Sequence, residues 1–164
     1  MAKILFLIRH AKSSWDDPAV ADFDRPLNDR GKRDAPEMAK RLAEKKADID
    51  AFVTSPAKRA KQTCKRFAKQ FDVLKKKVVE DRALYEAGRE DFYNVISGFK
   101  NKWDSVAVFS HNPGITSFIN ELTENKIDDM PTCGIFALKV NAERWEDFPL
   151  APKEFWFFES PKMD

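Results

Sequence analysis

The sequence predicts an α/β fold, a three-layer sandwich in which a mostly parallel central sheet carries helices on both faces. Short apolar runs typical of buried strands alternate along the chain with segments whose apolar residues recur every three or four positions. Strands separated in this way need crossover connections, which favour parallel pairing. With 164 residues, 43% of them hydrophobic, the chain is long enough for one packed core, so we expect a single domain over residues 1–164.

The first half of the chain contains two predicted strand-helix pairs. Residues 3–8 are dominated by an unbroken apolar run, which predicts a buried strand, and the Asp, Asn and Pro content of residues 11–30 predicts a loop. Helical spacing of the apolar residues predicts a helix over residues 31–46. Residues 50–54 predict a second strand, and Ser55-Pro56 then has the pattern of an N-cap followed by proline at the first helical position.

The second half continues the alternation. The helix that we expect after Ser55-Pro56 has an apolar stripe on one face and Lys and Arg on the others. Each later element is predicted from the same two periodicities. In chain order they are a strand at 78–79, a loop at 84–90, a helix at 91–100, a strand at 105–110, a helix through 115–122, and strands at 135–140 and 154–159.

Composition excludes several functional classes. The net charge of +2 does not indicate nucleic-acid binding, and the run at residues 75–77 is interpreted as a solvated turn. Cys64 and Cys133 are far apart, so neither a disulfide framework nor a zinc site is predicted. No apolar stretch has the length of a membrane span or of a secretory signal, and we expect a cytoplasmic protein that binds no membrane. The sequence does not predict an oligomeric state.

The chain has two histidines, and each directly follows a predicted buried strand. His10 follows the first strand and His111 follows the strand at 105–110. In open α/β sheets ligands bind at the carboxyl ends of the strands, so a matching pair at this edge favours a shared site over two structural histidines.

Two arginines accompany these histidines. Arg9 directly precedes His10, and Arg59 falls in the first turn of a predicted helix, where free backbone N–H groups favour an anion. The planar guanidinium suits phosphate oxygens. The four side chains therefore predict a phosphate pocket without a metal, in which one neutral imidazole attacks phosphorus and forms a phosphohistidine that water then hydrolyses. The residues alone leave open which histidine attacks.

Three separated motifs resemble the histidine phosphatase superfamily, which has the phosphoglycerate-mutase-like fold. They are LIRHA at residues 7–11, SPAKRAKQT at 55–63 and SHNPG at 110–114. Within that superfamily, the short chain and the run RHAKSSWDD followed by RPLNDRG resemble the phosphohistidine phosphatases of the SixA type. The resemblance extends over nearly the whole chain.

The resemblance implies roles for the four residues. His10 is the expected nucleophile, Arg9, Arg59 and His111 are expected to hold the phosphoryl group, and neither metal nor cofactor is expected. Ser13 and Asn112 are further candidates for substrate binding.

The proton donor to the leaving group is less constrained. Glu86 matches the position of the family's general acid, and Asp16, Asp17 and Asp24 of the preceding loop compete with it. We expect Asp16, which stands where mutase-like relatives carry Asn, to point away from the phosphate. Lys12, where those relatives carry Glu, adds positive charge near the mouth of the site, and Trp15 is interpreted either as a ledge for substrate or as packing.

The predicted function is a metal-independent phosphatase with an open site, acting on a phosphorylated protein such as a histidine-phosphorylated signalling domain. A short chain has little room for the insertions that enclose substrates in mutase-like relatives, so hydrolysis is favoured over transfer. The alternatives are a phosphatase or mutase-like enzyme for a small phosphorylated metabolite, and a phosphate-recognition module without turnover. A metal hydrolase with two histidine ligands would need a third ligand.

Overall fold

The computed structural model describes residues 2–71 and 78–162, and its helices and strands alternate along the chain. In chain order they are β1 (Lys3–Arg9), α1 (Asp29–Glu44), β2 (Ala51–Thr54), α2 (Lys58–Gln70), β3 (Val78–Glu80), α3 (Arg89–Ser97), β4 (Ser105–Ser110), α4 (Gly114–Leu122), β5 (Ile135–Val140) and β6 (Lys153–Glu159). Short 3-10 helices lie at Asp22–Asp24, Arg82–Leu84 and Trp145–Leu150.

The described strands form one sheet in the order β3, β2, β4, β1, β5, β6. β1 and β2 both pair in parallel with β4, and β3 pairs in parallel with β2. β5 runs antiparallel to both of its neighbours, β1 and β6. The predicted mostly parallel sheet is confirmed, and its one reversed strand lies on the side away from β2 and β3.

Helices cover both faces of the sheet, as predicted. Strand residues alternate between the faces, so Phe6 and Ile8 of β1 join the core beneath α1 and α2, whereas Leu5 and Leu7 join the core beneath α3 and α4. Both cores are built largely from fully buried aliphatic and aromatic side chains. These two apolar layers fix the sheet, and with it the position of every residue that follows a strand.

Element boundaries differ from the predictions at α3, which spans Arg89–Ser97 where a helix over 91–100 was expected, and at α2. We expected Ser55 to cap this helix, but α2 begins at Lys58 with Ala57 at the N-cap. The hydroxyl of Ser55 instead accepts a hydrogen bond from the backbone N–H of Ala57 at 3.2 Å, which makes a turn before the helix. α1 begins two residues earlier than predicted, because the side chain of Asn28 accepts a hydrogen bond from the N–H of Gly31 and caps it.

Two other findings concern the chain as a whole. The predicted turn at residues 75–77 lies outside the described residues. In residues 2–71 and 78–162, no helix is both long enough and apolar enough to cross a membrane.

Candidate active site

The two histidines lie side by side because the strands that precede them are neighbours. β1 and β4 are parallel, and Arg9 at the end of β1 is opposite Ser110 at the end of β4. The next residue along each strand is a histidine, and the backbone N–H of His10 donates a hydrogen bond to the carbonyl of Ser110. The two imidazole centroids are 5.1 Å apart. The carboxyl edge of the sheet therefore holds both rings in one place.

His10 is held in a defined tautomer. Its Nδ1 lies 2.7 Å from the carbonyl oxygen of Ala11, and a carbonyl can only accept, so Nδ1 carries the hydrogen. The lone pair is then on Nε2, which accepts a hydrogen bond from Nε of Arg59 at 3.3 Å. Burial lowers the pKa of His10 well below its usual range, the contact with the Ala11 carbonyl opposes this, and the nearby cations lower it further. The ring is neutral, with a nucleophilic Nε2.

His111 is held through the other ring nitrogen. Its Nε2 lies 2.7 Å from the hydroxyl of Ser55, which follows β2, the strand on the far side of β4. Nδ1 is buried and, among the described residues, has no hydrogen-bond partner. Burial, with a further contribution from the positive charge of Arg59, lowers the pKa of His111 to about 3. This imidazole is also neutral near pH 7.

The two predicted arginines face the same space. Arg9 donates from Nη1 to the carbonyl of Met130 at 2.8 Å, and its buried Nε has no partner in the described part of the chain. Arg59 is the second residue of α2 and is 5% exposed. Buried polar atoms are rarely left without a partner. The open nitrogen atoms of Arg9 and His111 therefore fit a ligand with several acceptor oxygens.

Asp22 is the main residue that the sequence did not single out. Its Oδ2 accepts hydrogen bonds from Nη2 of Arg59 at 3.1 Å and from the hydroxyl of Tyr85 at 2.8 Å, and its Oδ1 pairs with Nη2 of Arg25 at 3.2 Å. Burial raises the pKa of Asp22, but these donors outweigh it and the pKa falls to about 2. An ionised carboxylate is therefore bound to Arg59 at the edge of the site.

Sequence reasoning had only one signal for Asp22. It lies in a loop with several aspartates, and sequence order does not show which of them faces an arginine 37 positions away. The 3-10 helix over Asp22–Asp24 places the half-exposed carboxylate of Asp22 beside Arg59. The three aspartates that we had considered as acids, Asp16, Asp17 and Asp24, are exposed and do not line the cavity.

Glu86 lies in the loop between the 3-10 helix at Arg82–Leu84 and α3. It is exposed, and its φ of 57° is in the left-handed region that few non-glycine residues adopt. The loop rests against the start of α4, where a Cβ on Gly114 would lie 1.9 Å from the carbonyl oxygen of Ala87. The glycine at this position therefore lets the Glu86 loop approach the end of β4.

Ser13 and Asn112, the other candidates for substrate binding, both have partners within the protein. The hydroxyl of Ser13 accepts a hydrogen bond from Nη1 of Arg25 at 2.7 Å. The amide nitrogen of Asn112 donates to a carboxylate oxygen of Asp129 at 2.8 Å and to the carbonyl of Met130 at 3.0 Å.

One cavity of about 750 Å³ brings the predicted residues together. Its lining includes all seven of them: Arg9, His10, Ser13, Arg59, Glu86, His111 and Asn112. Lys12, Trp15, Asp22, Arg25 and Tyr85 also line it. Trp15 is 71% exposed, and the guanidinium carbon of Arg25 lies 3.5 Å from its ring centroid. The cavity is thus basic at its floor and aromatic at part of its rim.

The chemistry available at the floor is anion binding beside a nucleophile. Two guanidinium groups and a neutral imidazole surround Nε2 of His10, and each can donate to an oxygen. In the part of the chain that the structure describes, no group of three or more His, Cys, Asp or Glu side chains is arranged to hold a metal ion.

Comparison with known proteins finds a matching family model and solved structures of similar fold. The family model of the histidine phosphatase superfamily (branch 1) matches residues 5–94. A solved SixA protein from Nakamurella multipartitia has a TM-score of 0.85 at 23% identity, covering 99% of this chain and 98% of its own. The protein histidine phosphatase SixA complexed with tungstate has a TM-score of 0.79 at 25% identity, with 96% and 97% covered.

Two curated relatives are uncharacterized proteins. A chloroplastic protein of Arabidopsis thaliana is 28% identical over 168 residues, which cover 97% of this chain and 77% of the relative. A protein of Mycobacterium leprae is 28% identical over 167 residues, covering 94% of this chain and all of the relative.

Proposed function

The chain belongs to the histidine phosphatase superfamily, branch 1, and is a phosphatase; we propose that it works without a metal, through a phosphohistidine formed on His10. Its proposed substrate class is histidine-phosphorylated protein. The observation that carries the proposal is the neutral Nε2 of His10, which faces Arg59 inside a basic cavity. A structural relative is complexed with tungstate, a tetrahedral oxyanion like phosphate, which supports anion binding by a protein of this fold.

The proposed first step is transfer of the phosphoryl group to the enzyme. The lone pair of His10 Nε2 attacks phosphorus, the bond to the leaving group breaks, and the leaving group takes a proton. Arg9, Arg59 and His111 donate to the phosphoryl oxygens, where negative charge is distributed in the transition state. Because the hydrogen on Nδ1 stays bound to the Ala11 carbonyl, that contact stabilises the positive charge that the ring gains.

The second step is hydrolysis of the phosphohistidine. Water attacks phosphorus and the bond to Nε2 breaks. Inorganic phosphate leaves, and the neutral imidazole of His10 is restored. Glu86 is the proposed proton donor in the first step and the acceptor of the water proton in the second. Its support is its place in the cavity lining, on a loop held against the end of β4.

The proposed role of phosphoprotein as substrate is supported by the openness of the site. Trp15 stands at the rim with most of its ring exposed, and Glu86 is exposed rather than enclosed. A phosphorylated side chain projecting from a protein surface can enter such a cavity. We propose that the enzyme dephosphorylates side chains that are accessible on the surface of a protein. We also propose that it does not bind nucleic acid.

The test of the mechanism uses an aryl phosphate in the presence of a chelator. Wild type should release phosphate and accumulate a phosphoenzyme that is stable in alkali and labile in acid, as a phosphoamidate is. His10→Ala should form no phosphoenzyme and lose turnover. Turnover that survives in His10→Ala would contradict the nucleophile, and activity lost in chelator would contradict the metal-free scheme.

The test of the substrate class compares four phosphate donors at equal concentration. They are a histidine-phosphorylated protein, a phosphoserine peptide, a phosphotyrosine peptide and a sugar phosphate. The highest kcat/KM is expected for phosphohistidine. If the sugar phosphate alone were hydrolysed, the substrate class would be wrong, while the mechanism would be judged from the phosphoenzyme.

A further inference from the structure

α2 differs in charge from the other long helix on the same face of the sheet. Its 13 residues contain six Lys or Arg and no acidic residue. α1 mixes both signs and has an ion pair between Arg30 and Asp34 at 3.2 Å. Because the whole chain has a net charge of only +2, the rest of the molecule is net acidic. The net positive charge of the chain therefore comes from this one helix.

Three lysines of α2 share one side of the helix and line a groove. Lys58, Lys61 and Lys65 are spaced by three and four positions, which puts them on one face over about 10 Å. The groove, which we name the lysine groove, has a volume of about 240 Å³ and is also lined by Phe23, Asp24, Pro56 and Gln62. Within residues 2–71 and 78–162 none of the three ammonium groups has an ion-pair partner.

The lysine groove lies next to the active-site cavity. Arg59, at the floor of the cavity, stands between Lys58 and Lys61 in the sequence of α2 and binds Asp22. The residue after Asp22 is Phe23, which lines the groove and packs edge-on against Tyr85, with ring centroids 5.1 Å apart. Tyr85 lines the cavity. A protein whose phosphorylated side chain entered the cavity would extend over these rings to the groove.

We propose that the lysine groove binds an acidic segment of the phosphorylated protein substrate, beside the side chain that is dephosphorylated. The inference rests on the proposed function and adds a determinant of substrate choice. Carboxylates on successive turns of a partner helix repeat every 5.4 Å or so, which matches three ammonium groups spread over about 10 Å. Complementary charge of this kind chiefly determines specificity and the rate of association.

An acidic protein fits this groove better than a nucleic acid does. The positive face is short, and Asp24 in the groove and Asp22 beside it are carboxylates that repel a continuous chain of phosphates. The remainder of the chain carries a net negative charge, so it adds no overall attraction for a long polyanion beyond the groove. A protein segment can place its carboxylates opposite the lysines and an uncharged residue opposite Asp24.

The test uses two labelled peptides phosphorylated on one central histidine, with either four glutamates or four glutamines on one flank. At low salt, wild type is expected to bind and hydrolyse the acidic peptide about fivefold better than the neutral one, because each of the three charge pairs at this solvent-exposed groove adds only a small preference. The triple variant Lys58→Gln, Lys61→Gln, Lys65→Gln should bind both equally. The variant Lys40→Gln, Lys46→Gln, Lys102→Gln loses the same charge elsewhere and should keep the preference.

Turnover of an aryl phosphate, which is too small to reach the groove, should be unchanged in both triple variants. Fluorescence anisotropy measures peptide binding and so tests the groove independently of turnover. The proposed function fails separately, if wild type does not hydrolyse the aryl phosphate. A preference that persists after the three groove lysines are replaced would overturn the inference. The inference would also be overturned if a short single-stranded RNA displaced the labelled acidic peptide from wild type at a lower concentration than the unlabelled peptide does.

Discussion

The carboxyl ends of β1 and β4 carry the same residue in the same register, yet they hold their imidazoles differently. His10 uses Nδ1 to bind the carbonyl of Ala11, which can only accept, and this leaves a lone pair on Nε2. His111 uses Nε2 to contact the hydroxyl of Ser55, and its Nδ1 has no partner among the described residues. The difference supports separate roles, a nucleophile at the end of β1 and a donor to oxygen at the end of β4.

The surroundings of the two ends differ in the same way. The hydroxyl of Thr63 accepts a hydrogen bond from the N–H of Ala11 and donates to the carbonyl of Arg59, which ties the end of β1 to the helix that carries the arginine. The hydroxyl of Ser110 donates to the carbonyl of Leu84, which ties the end of β4 to the loop that carries Glu86. One strand end thus organises the nucleophile and its arginine, and the other organises the proposed proton donor.

The strongest test of this division replaces His111 while His10 stays in place. His111→Ala removes one donor to the phosphoryl oxygens, so kcat should fall by about 10²- to 10³-fold. The phosphoenzyme on His10 should still form, more slowly, and quench-flow with an aryl phosphate measures it. Ser55→Ala leaves the ring but removes its hydroxyl partner, and its loss should be smaller. If His111→Ala formed no phosphoenzyme while His10→Ala did, the two roles would be exchanged.

The second test uses what the two ends share, which is a neutral imidazole in a buried position. Burial lowers the pKa of His10 and lowers that of His111 to about 3, whereas an unfolded chain protonates each near pH 6.5. Below pH 6.5 the unfolded state therefore binds more protons than the folded state, and stability falls as the pH falls. From pH 7 to pH 5 the His111 imidazole alone should lower the free energy of unfolding by about 2 kcal/mol, and the His10 imidazole should lower it further.

Urea unfolding at pH 7 and pH 5 measures this loss. His111→Gln should lose about 2 kcal/mol less than wild type over that interval, and Lys102→Gln, a surface control, should match wild type. Asp22 does not titrate in this range, since its pKa is about 2 in the folded state and near 4 in unfolded chains. Equal pH dependence in wild type and His111→Gln would show that the ring is protonated in the folded protein.

Much of this architecture follows from local sequence. The apolar runs of β1 and β4 end at Arg9 and Ser110, so the two histidines could be placed at strand ends before their distance was known. The start of α2 could not, because Ser55-Pro56 is a good helix-start signal and only the contact of Ser55 with His111 shows why the serine serves another purpose. Side-chain pairs across loops, such as Asp22 with Arg59, have no periodicity that a sequence could show.

The smallest expected effect concerns the ion pair between Asp22 and Arg59, which places a carboxylate beside the end of β1. Arg59 contacts both His10 and the carboxylate of Asp22, whereas the hydrogen-bond partner of His111 is the uncharged Ser55. A phosphate bound beside Arg59 would be repelled by that carboxylate. Asp22→Asn keeps an acceptor oxygen for the guanidinium and removes the charge, so the inhibition constant of inorganic phosphate should fall about tenfold at low salt.

The matched control for this substitution is Asp24→Asn, which removes the same charge from an exposed position that lines the lysine groove instead of the cavity. It should leave phosphate inhibition of aryl phosphate turnover unchanged. The tenfold difference should shrink as salt is added, because screening weakens a repulsion at a partly exposed site. Weaker inhibition by phosphate in Asp22→Asn would mean that the carboxylate acts chiefly by holding Arg59 beside His10, and the β1 end would then depend on an ion pair that the β4 end lacks.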